Sequence, residues 1–443
     1  MFKRIIFYTI LMVLAYGFWI SPDFKEISAG VAIFLFGMLS LEEGFKTFTG
    51  GLLEKLLRKT TDGTWKSLTF GIVSTTVMQS SSLVSVITIS FLSAGLIGLT
   101  AGIGIIFGAN LGTTTGAWLI AGLGMKVKIS AYAMPMLVFG IIGIFQKSKN
   151  MRGIGYILAG LGFLFLGIHH MKEGFEAFRD TIDLTAFAVE GYPGIFLFTL
   201  IGVAATVIMQ SSHATLVIII TALASQQITY ENALAIAIGA NIGTTITAII
   251  GSMSANVQGK RLAAAHLVFN MVTAAIAIAF IYQIAQGVDW ISSILGIAQD
   301  DYTLKLAVFH SVFNLIGVLA MLPFIQRLAD TLESMMTEKL KSKEVPIYLN
   351  ESAEELPDTA IEAVRKETLH LYDNAFAIIA HGLSLHRNDI LSDRDLEEII
   401  QKSNKVIEID IDQEYESSVK GLYAEIIRFI SRSQVSMEPE QVD

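Results

Sequence analysis

Residues Thr75–Ala117 read TTVMQSSSLVSVITISFLSAGLIGLTAGIGIIFGANLGTTTGA, and Thr206–Ala248 read TVIMQSSHATLVIIITALASQQITYENALAIAIGANIGTTITA. Overlaid without a gap at a shift of 131 residues, Thr75, Met78-Gln79-Ser80-Ser81, Gly108-Ala109-Asn110, Gly112-Thr113-Thr114 and Ala117 recur as Thr206, Met209-Gln210-Ser211-Ser212, Gly239-Ala240-Asn241, Gly243-Thr244-Thr245 and Ala248. Upstream, Gly37 and Glu43-Gly44-Phe45 recur as Gly167 and Glu173-Gly174-Phe175. Each copy opens in an apolar stretch, 67–98 or 192–224, that is too long for one crossing of a ~30 Å hydrocarbon core and too short for two. Backbone that turns round at membrane depth must be covered by protein or line a watery cavity. Both stretches therefore read as re-entrant helical hairpins with Gln-Ser-Ser at the tip. Gly-Ala-Asn-x-Gly-Thr-Thr falls inside the following span, where glycine lets a helix unwind, so a broken transmembrane helix is expected in each repeat.

The composition agrees with a membrane protein. The chain of 443 residues is 53% hydrophobic and 16% charged, with mean hydropathy +0.58. Residues 67–125, 191–230 and 232–259 contain no Asp, Glu, Lys or Arg, as hydrocarbon solvent requires. The absence of cysteine removes disulfides, iron–sulfur clusters and thiol catalysis. A net charge of -9 without a basic stripe argues against nucleic acid as a partner. Of the charged residues, 37 fall in 330–443, where acids outnumber bases 25 to 12. The fold class expected is an all-α polytopic membrane protein with a soluble helical C-terminal domain. Its parts are an anchor helix in 1–27, repeat 1 in 28–150, repeat 2 in 151–285, a last transmembrane helix in 286–325 and a tail in 326–443. Residues 1–20 have a charged start and an apolar run but no small-x-small cleavage site, and read as membrane anchor.

Basic residues orient the chain. Lys3 and Arg4 place the N-terminus in the cytoplasm, and the chain returns there at 47–66, 147–152, 252–261 and after Arg327; Lys126 and Lys128 fall outside, against the rule. On this path the first hairpin enters from the cytoplasm and the second from outside, so the repeats are inverted. Inverted repeats with broken helices meeting at the midplane are the architecture of secondary transporters.

The recurring groups are polar and uncharged. Hydroxyls and amides donate to an oxyanion and accept towards a small cation, while helix N-termini attract anions and C-termini cations. A multiply charged anion held without Arg or Lys needs bound cations to offset its desolvation. Duplicated Gln-Ser-Ser motifs followed by Gly-Ala-Asn-x-Gly-Thr-Thr resemble the type II sodium/phosphate cotransporter family, bacterial branch, over about residues 30–325. The resemblance implies Na⁺-driven phosphate uptake into a bacterium across its plasma membrane, with Na⁺ as coupling ion and both termini cytoplasmic. It implies phosphate binding by Gln79, Ser80, Ser81, Ser82, Gln210, Ser211, Ser212 and His213. For Na⁺ it implies Gln79, Ser81, Asn110, Thr113, Thr114, Gln210, Ser212, Asn241, Thr244 and Thr245. His213 departs from the family's serine. A neutral imidazole can donate one hydrogen bond, and a protonated one adds positive charge beside the anion.

Other readings are weaker. Gly-x-Ser-x-Gly and His-Glu-x-x-His are absent, and Ser212 and His213, adjacent on a helix, point apart, so an enzyme is not expected. A symporter of another oxyanion or small carboxylate, or a phosphate sensor acting through the tail, would use the same donors. His266-x-x-x-Asn270 and His310-x-x-x-Asn314 read as hydrogen-bonding partners joining their two helices. His169-His170 suit a membrane interface rather than a ligand pair, and no transition-metal site is expected. Glu43 and Glu173 suit helix caps or hinges. Apolar spacing in 359–386 and 396–430 predicts a helical hairpin in the tail, and Asp412-Gln-Glu-Tyr415 followed by Leu422-Tyr423 resembles the last helices of the PhoU phosphate regulator. A second copy of the chain and a cytoplasmic regulator on the tail are the protein partners this organisation admits.

Overall fold

The structure, a computed structural model, describes residues 2–49, 63–125, 129–181, 184–253, 255–337, 345–354, 356–392, 395–402, 407 and 410–437. The basic residues Lys55, Arg58 and Lys59, and Lys126 and Lys128, lie outside these. Among the described residues all regular structure is helical, and seven helices are long and apolar enough to cross a membrane. Their outward faces carry exposed apolar side chains such as Phe36, Leu200, Ile208 and Leu319, as hydrocarbon contact demands. This is a multi-pass membrane protein.

Helices α1 (Phe2–Ile20) and α2 (Pro22–Thr49) lead into the first repeat. There α3 (Thr64–Met78) and α4 (Ser81–Ser93) are followed by α5 (Leu99–Trp118), which runs on as a π-helical segment to Gly124, and by α6 (Ile129–Ile144). Helix α7 (Lys149–Thr181) opens the second repeat, with α8 (Gly191–Met209), α9 (Ser212–Ala224), α10 (Tyr230–Ser252) and α11 (Val257–Ala279). The apolar stretch 262–285 is not one span. It breaks at Phe280, and α12 (Ile281–Ile294) carries Asp289 and Trp290 in a separate amphipathic helix. Then come α13 (Tyr302–Met321) and α14 (Ile325–Met335).

Glycines at backbone contacts fix how these helices lie. A methyl on Gly108 would sit 2.0 Å from Leu68 O, one on Gly112 2.7 Å from Ile72 O, and one on Gly71 2.1 Å from Ile105 O. Contacts advance together along both chains, so α3 and α5 run parallel. The tight corner 94–98 turns α4 back against α5, so α3 and α4 form a hairpin. Limbs of 15 and 13 residues are each only about 20 Å long. The second repeat repeats the geometry: a methyl on Gly239 would sit 2.0 Å from Thr199 O, one on Gly243 2.8 Å from Val203 O and one on Gly202 2.2 Å from Ile236 O. Helices α2 and α7 also meet through glycines: Gly30 on Gly167, Gly37 on Gly160 and Gly44 on Gly153. One series rises as the other falls, so these equivalent helices are antiparallel.

The expected broken helix is corrected here. Helix α5 is continuous through Gly108–Thr114 and α10 through Gly239–Thr245. Their glycines serve close approach of a neighbouring carbonyl, the small-residue packing of membrane helices, and the breaks are confined to the hairpin tips.

The tail contains α15 (Pro357–Gly382), short helices α16 (Arg387–Ile390), α17 (Leu396–Lys402) and α18 (Ile411–Tyr415), and α19 (Gly421–Ser433). Ala94 at the base of the first hairpin is fully buried with Ala353, Ala360, Ala363 and Phe429. Lys366 donates to Gly95 O, and Asn256 Nδ2 donates to both Ser93 O (2.9 Å) and Ile347 O (3.1 Å). The carboxylate of buried Glu367 accepts from Ile347 N and Tyr348 N and pairs with His370.

The glycine seams make a direct prediction. Gly108→Ala and Gly239→Ala each drive a methyl into a carbonyl oxygen that cannot swing away, and are expected to cost at least ~1–3 kcal/mol as overpacking. Gly287→Ala in α12, with nothing within 4 Å, is expected to be neutral or stabilising by up to ~1 kcal/mol. Thermal midpoints in detergent, read by size exclusion, check this; native-like midpoints for both seam variants would refute the packing argument.

Candidate functional site

Each hairpin turns on two residues. Helix α3 ends with Gln79 in the left-handed region (φ 52°, ψ 24°), its N–H donating to Thr75 O, and α8 ends with Gln210 at φ 53°, ψ 25°. Ser80 and Ser211 follow in extended backbone, and each hydroxyl caps the next helix by accepting from Leu83 N and Ala214 N, at 3.2 Å in both cases. Serine is suited to this N-cap position. A non-glycine residue at positive φ is strained by ~1–3 kcal/mol and persists where surrounding structure holds it. It occurs at the same position of both repeats.

The two tips face one cavity of about 350 Å³. All eight residues predicted for the anion line it: Gln79, Ser80, Ser81 and Ser82 from one hairpin, and Gln210, Ser211, Ser212 and His213 from the other. Helix α2 closes a side with Leu35, Met38, Leu39 and Glu42. Helices α4 and α9 both begin at this cavity, so two helix N-termini with their unpaired N–H groups are aimed into it. Helices α3 and α8 end there and bring carbonyl oxygens.

The two repeats are not identical at the tips. Gln79 Nε2 donates to Thr76 O (2.6 Å) and to Thr115 Oγ1 (3.0 Å), whereas Ile246 stands at the position equivalent to Thr115 and Gln210 is exposed. His213 is buried over Gly116, where a methyl would lie 1.9 Å from its Nε2. The equivalent pair in the other repeat is Ser82 and Thr247.

The residues expected for Na⁺ in the following spans do not line this cavity. Asn110, Thr113, Thr114, Asn241, Thr244 and Thr245 are buried in α5 and α10 behind the tips. Asn110 donates to Ile106 O, Thr113 to Ala109 O, Thr114 to Leu111 O and Thr245 to Ile242 O, each back into its own helix. Thr244 Oγ1 has no protein partner. Asn241 is held from α13: its Oδ1 meets His310 Nε2 at 3.0 Å and its Nδ2 donates to Asn314 Oδ1 at 2.7 Å. The His-Asn motifs therefore do not join α11 to α13. The α13 pair grips α10, and Asn270 donates to His266 O in its own helix.

Sequence reasoning missed Glu42, the one acidic side chain among the lining residues, paired with Lys46 at 3.2 Å. It had singled out the adjacent Glu43, because that position recurs as Glu173 whereas Glu42 is matched by Lys172. Periodicity alone could have found it, since Leu35, Met38, Leu39 and Glu42 share a helix face. His169 and His170 hold Glu173 (3.2 Å) and Glu26 (2.5 Å) across the end of the α2–α7 seam. Glu26, His170 and Glu173 bring potential ligand atoms within 4.8 Å of one another there, well apart from the tip residues, where ion pairing accounts for them.

Comparison with known proteins matches the family described as Na+/Pi-cotransporter over residues 33–173 and 194–306, which cover nearly all of both hairpins and most of α2 and α7. YqeW of Bacillus subtilis, an uncharacterized protein, is 28% identical over 259 residues, 58% of this chain and 82% of that one. The "Putative inorganic phosphate export protein YjbB" of Escherichia coli K12 is 24% identical over 352 residues, 79% of this chain, and the match spans 62% of YjbB. The YjbB of Salmonella typhimurium is 25% identical over the same length. No solved structure matches the chain. With matching sequence running through both hairpins, the α2–α7 pair and the helices behind the tips, the chain belongs to the Na⁺/Pi-cotransporter family.

Proposed function

We propose that this protein is a sodium-coupled inorganic phosphate symporter of a bacterial plasma membrane, with both termini in the cytoplasm. The observation that carries this reading is the meeting of two hairpin tips of equal geometry, each Gln-Ser-Ser, in one cavity. Phosphate is held by Gln79, Ser80, Ser81, Ser82, Gln210, Ser211, Ser212 and His213, with the first N–H groups of α4 and α9 behind the hydroxyls.

Charge arithmetic supports cation coupling. Two helix N-termini supply about half an elementary charge each. The lining residues offer no Lys or Arg, and Glu42 is already paired with Lys46. A doubly charged phosphate therefore keeps about one uncompensated charge, which bound Na⁺ offsets. Na⁺ uses the carbonyl-bearing ends of α3 and α8 with Gln79, Ser81, Gln210 and Ser212. Of the residues behind the tips, Thr244 has a hydroxyl without a protein partner, while Asn110, Thr113, Thr114, Asn241 and Thr245 contribute after rearrangement of their present bonds.

The antiparallel α2 and α7 favour an inverted relation of the repeats, and such a relation gives alternating access by exchange of two conformations. In an elevator version both hairpins travel with α5 and α10 against a scaffold built on the α2–α7 seam. The tail is a PhoU-like regulatory unit on the cytoplasmic side. A second reading, phosphate export, is favoured by the name of the YjbB relatives.

Labelled phosphate flux in proteoliposomes, with Na⁺ or K⁺ gradients at matched potential, tests the proposal. Accumulation driven by inward Na⁺ alone is expected, with Gln79→Ala and Gln210→Ala each lowering flux at least about tenfold, as for loss of one oriented polar contact. Flux indifferent to Na⁺ would sink the coupling, flux favouring exit in oriented vesicles would select export, and native flux in both Gln variants would remove the site.

A further inference from the structure

The seam between α2 and α7 maps onto itself when each residue is exchanged for its equivalent 130 positions away. Gly30 on Gly167 becomes Gly160 on Gly37, and both contacts exist. A methyl on Gly44 would lie 2.7 Å from Ile157 Cγ1 and 2.9 Å from Ile157 N, and one on Gly174 2.7 Å from Ile27 Cγ1 and 2.9 Å from Ile27 N. The cavity breaks this symmetry. It is lined by Leu35, Met38, Leu39 and Glu42 of α2 and not by their equivalents on α7, which are Phe165, Ile168, His169 and Lys172. Phe165 and Ile168 are instead buried in one apolar cluster with Leu216 and Val217 of α9. The charges at the two places are opposite as well. Leu41-Glu42-Glu43-Gly44-Phe45-Lys46 aligns with Met171-Lys172-Glu173-Gly174-Phe175-Glu176. Glu42 pairs with Lys46 at 3.2 Å and Lys172 with Glu176 at 3.7 Å, so one i,i+4 ion pair recurs with its signs exchanged. The member nearer the middle of its helix is the acid in α2 and the base in α7.

Two halves that exchange conformations also exchange the wall that the cavity meets. We propose that α7 supplies the second, outward-open wall of the phosphate cavity, lined by Phe165, Ile168, His169 and Lys172, and that Lys172 and Glu42 are its two charged mouths. Lys172 draws phosphate in from outside, and Glu42 drives it out into the cytoplasm. This assignment rests on the symporter reading above, in which α2 reaches the cytoplasm at its Glu42 end and the antiparallel α7 reaches the outside at its Lys172 end. A lysine at the mouth raises the local concentration of a doubly charged anion and speeds its entry, whereas a glutamate lowers it. Lys46 and Glu176, one turn further from the tips, weaken each field but leave its sign at the cavity unchanged, because the nearer charge dominates. The ion gradients set the direction of net flux, and the two charges make the outer face the one of higher apparent affinity.

The chain has no cysteine, so single cysteines report the two walls directly. Met38→Cys is expected to react with a charged thiol reagent from the cytoplasmic side and Ile168→Cys from outside, and a change of medium, with or without Na⁺ and phosphate, that speeds one slows the other. Phosphate flux in oriented proteoliposomes then reads the charges. Lys172→Gln is expected to raise the external phosphate concentration for half-maximal flux about three- to tenfold, and Glu42→Gln to lower the cytoplasmic one by about the same factor, each leaving the opposite side within about twofold and each effect shrinking in high salt. Glu176→Gln breaks the same ion pair as Lys172→Gln but leaves the lysine charged, and is expected to shift the external value the opposite way. An Ile168→Cys variant that carries phosphate yet never reacts from outside overturns the second wall, and Met38→Cys reacting only from outside overturns the stated direction. Equal effects of Lys172→Gln on both sides, or the same shift from Glu176→Gln, overturn the role of the charge and make the pair structural. These results leave the symporter reading standing, whereas absence of phosphate flux in the native protein overturns that reading and this one together.

Discussion

Hydrocarbon supplies no hydrogen bonds, so a helix can end inside a membrane only where other groups take over its loose N–H and C=O ends. This chain ends four helices within its apolar interior, two at Gln79-Ser80 and two at Gln210-Ser211. The serine hydroxyls satisfy one N–H each, and the remaining ends must face something polar. Gathering both breaks on one cavity meets that demand with the least polar surface. The seams then follow: α3 must lie close along α5 and α8 along α10, and Gly71, Gly108, Gly202 and Gly239 allow backbone to approach backbone. The strain at the two glutamines is tolerated because these seams leave the chain little alternative.

Much of this could be read from the sequence, and what could not has a physical reason. Charge-free length together with a polar centre identified the hairpins, since both properties are local. Exact recurrence of Gln-Ser-Ser identified the tips. The Gly-Ala-Asn-x-Gly-Thr-Thr segments misled, because glycine permits either unwinding or close approach and local sequence does not say which. The choice depends on what faces the glycine, here Leu68 O and Thr199 O. Glu42 was hidden because repeat comparison finds what two halves share, and position 42 is one at which they differ. His310 and Asn314 were recognised as hydrogen-bonding groups, but their partner proved to be Asn241, distant in sequence and itself within a repeated motif.

Departures from symmetry therefore mark where the two halves perform different tasks. Shared residues build the frame: caps, left-handed turns and glycine seams. Differing residues sit at the tips and in the helices behind them, where Thr115 is matched by Ile246, Ser82 by His213 and Gly116 by Thr247. The last two pairs are linked sterically, since an imidazole at 213 needs a residue without a side chain at 116. A change at one position without the other would leave a collision or a gap, so the pair behaves as a unit although its members belong to different repeats.

The bases of the hairpins differ as well. Around Ser93–Gly95 the first hairpin is covered by the tail, with Ala94 wholly buried and Asn256 tying Ser93 O to Ile347 O. The tail's side of this joint is itself stiff, because Glu367 holds Ile347 N and Tyr348 N with one oxygen and His370 with the other. The equivalent corner of the second hairpin, Ala224–Thr229, instead borders the loop at Ala298–Thr303 across an open cavity. A displacement of the first hairpin must carry Ile347 and α15 with it or give up these bonds. The tips are alike in backbone, and the bases are unlike because the first is joined to the tail while the second borders an open cavity.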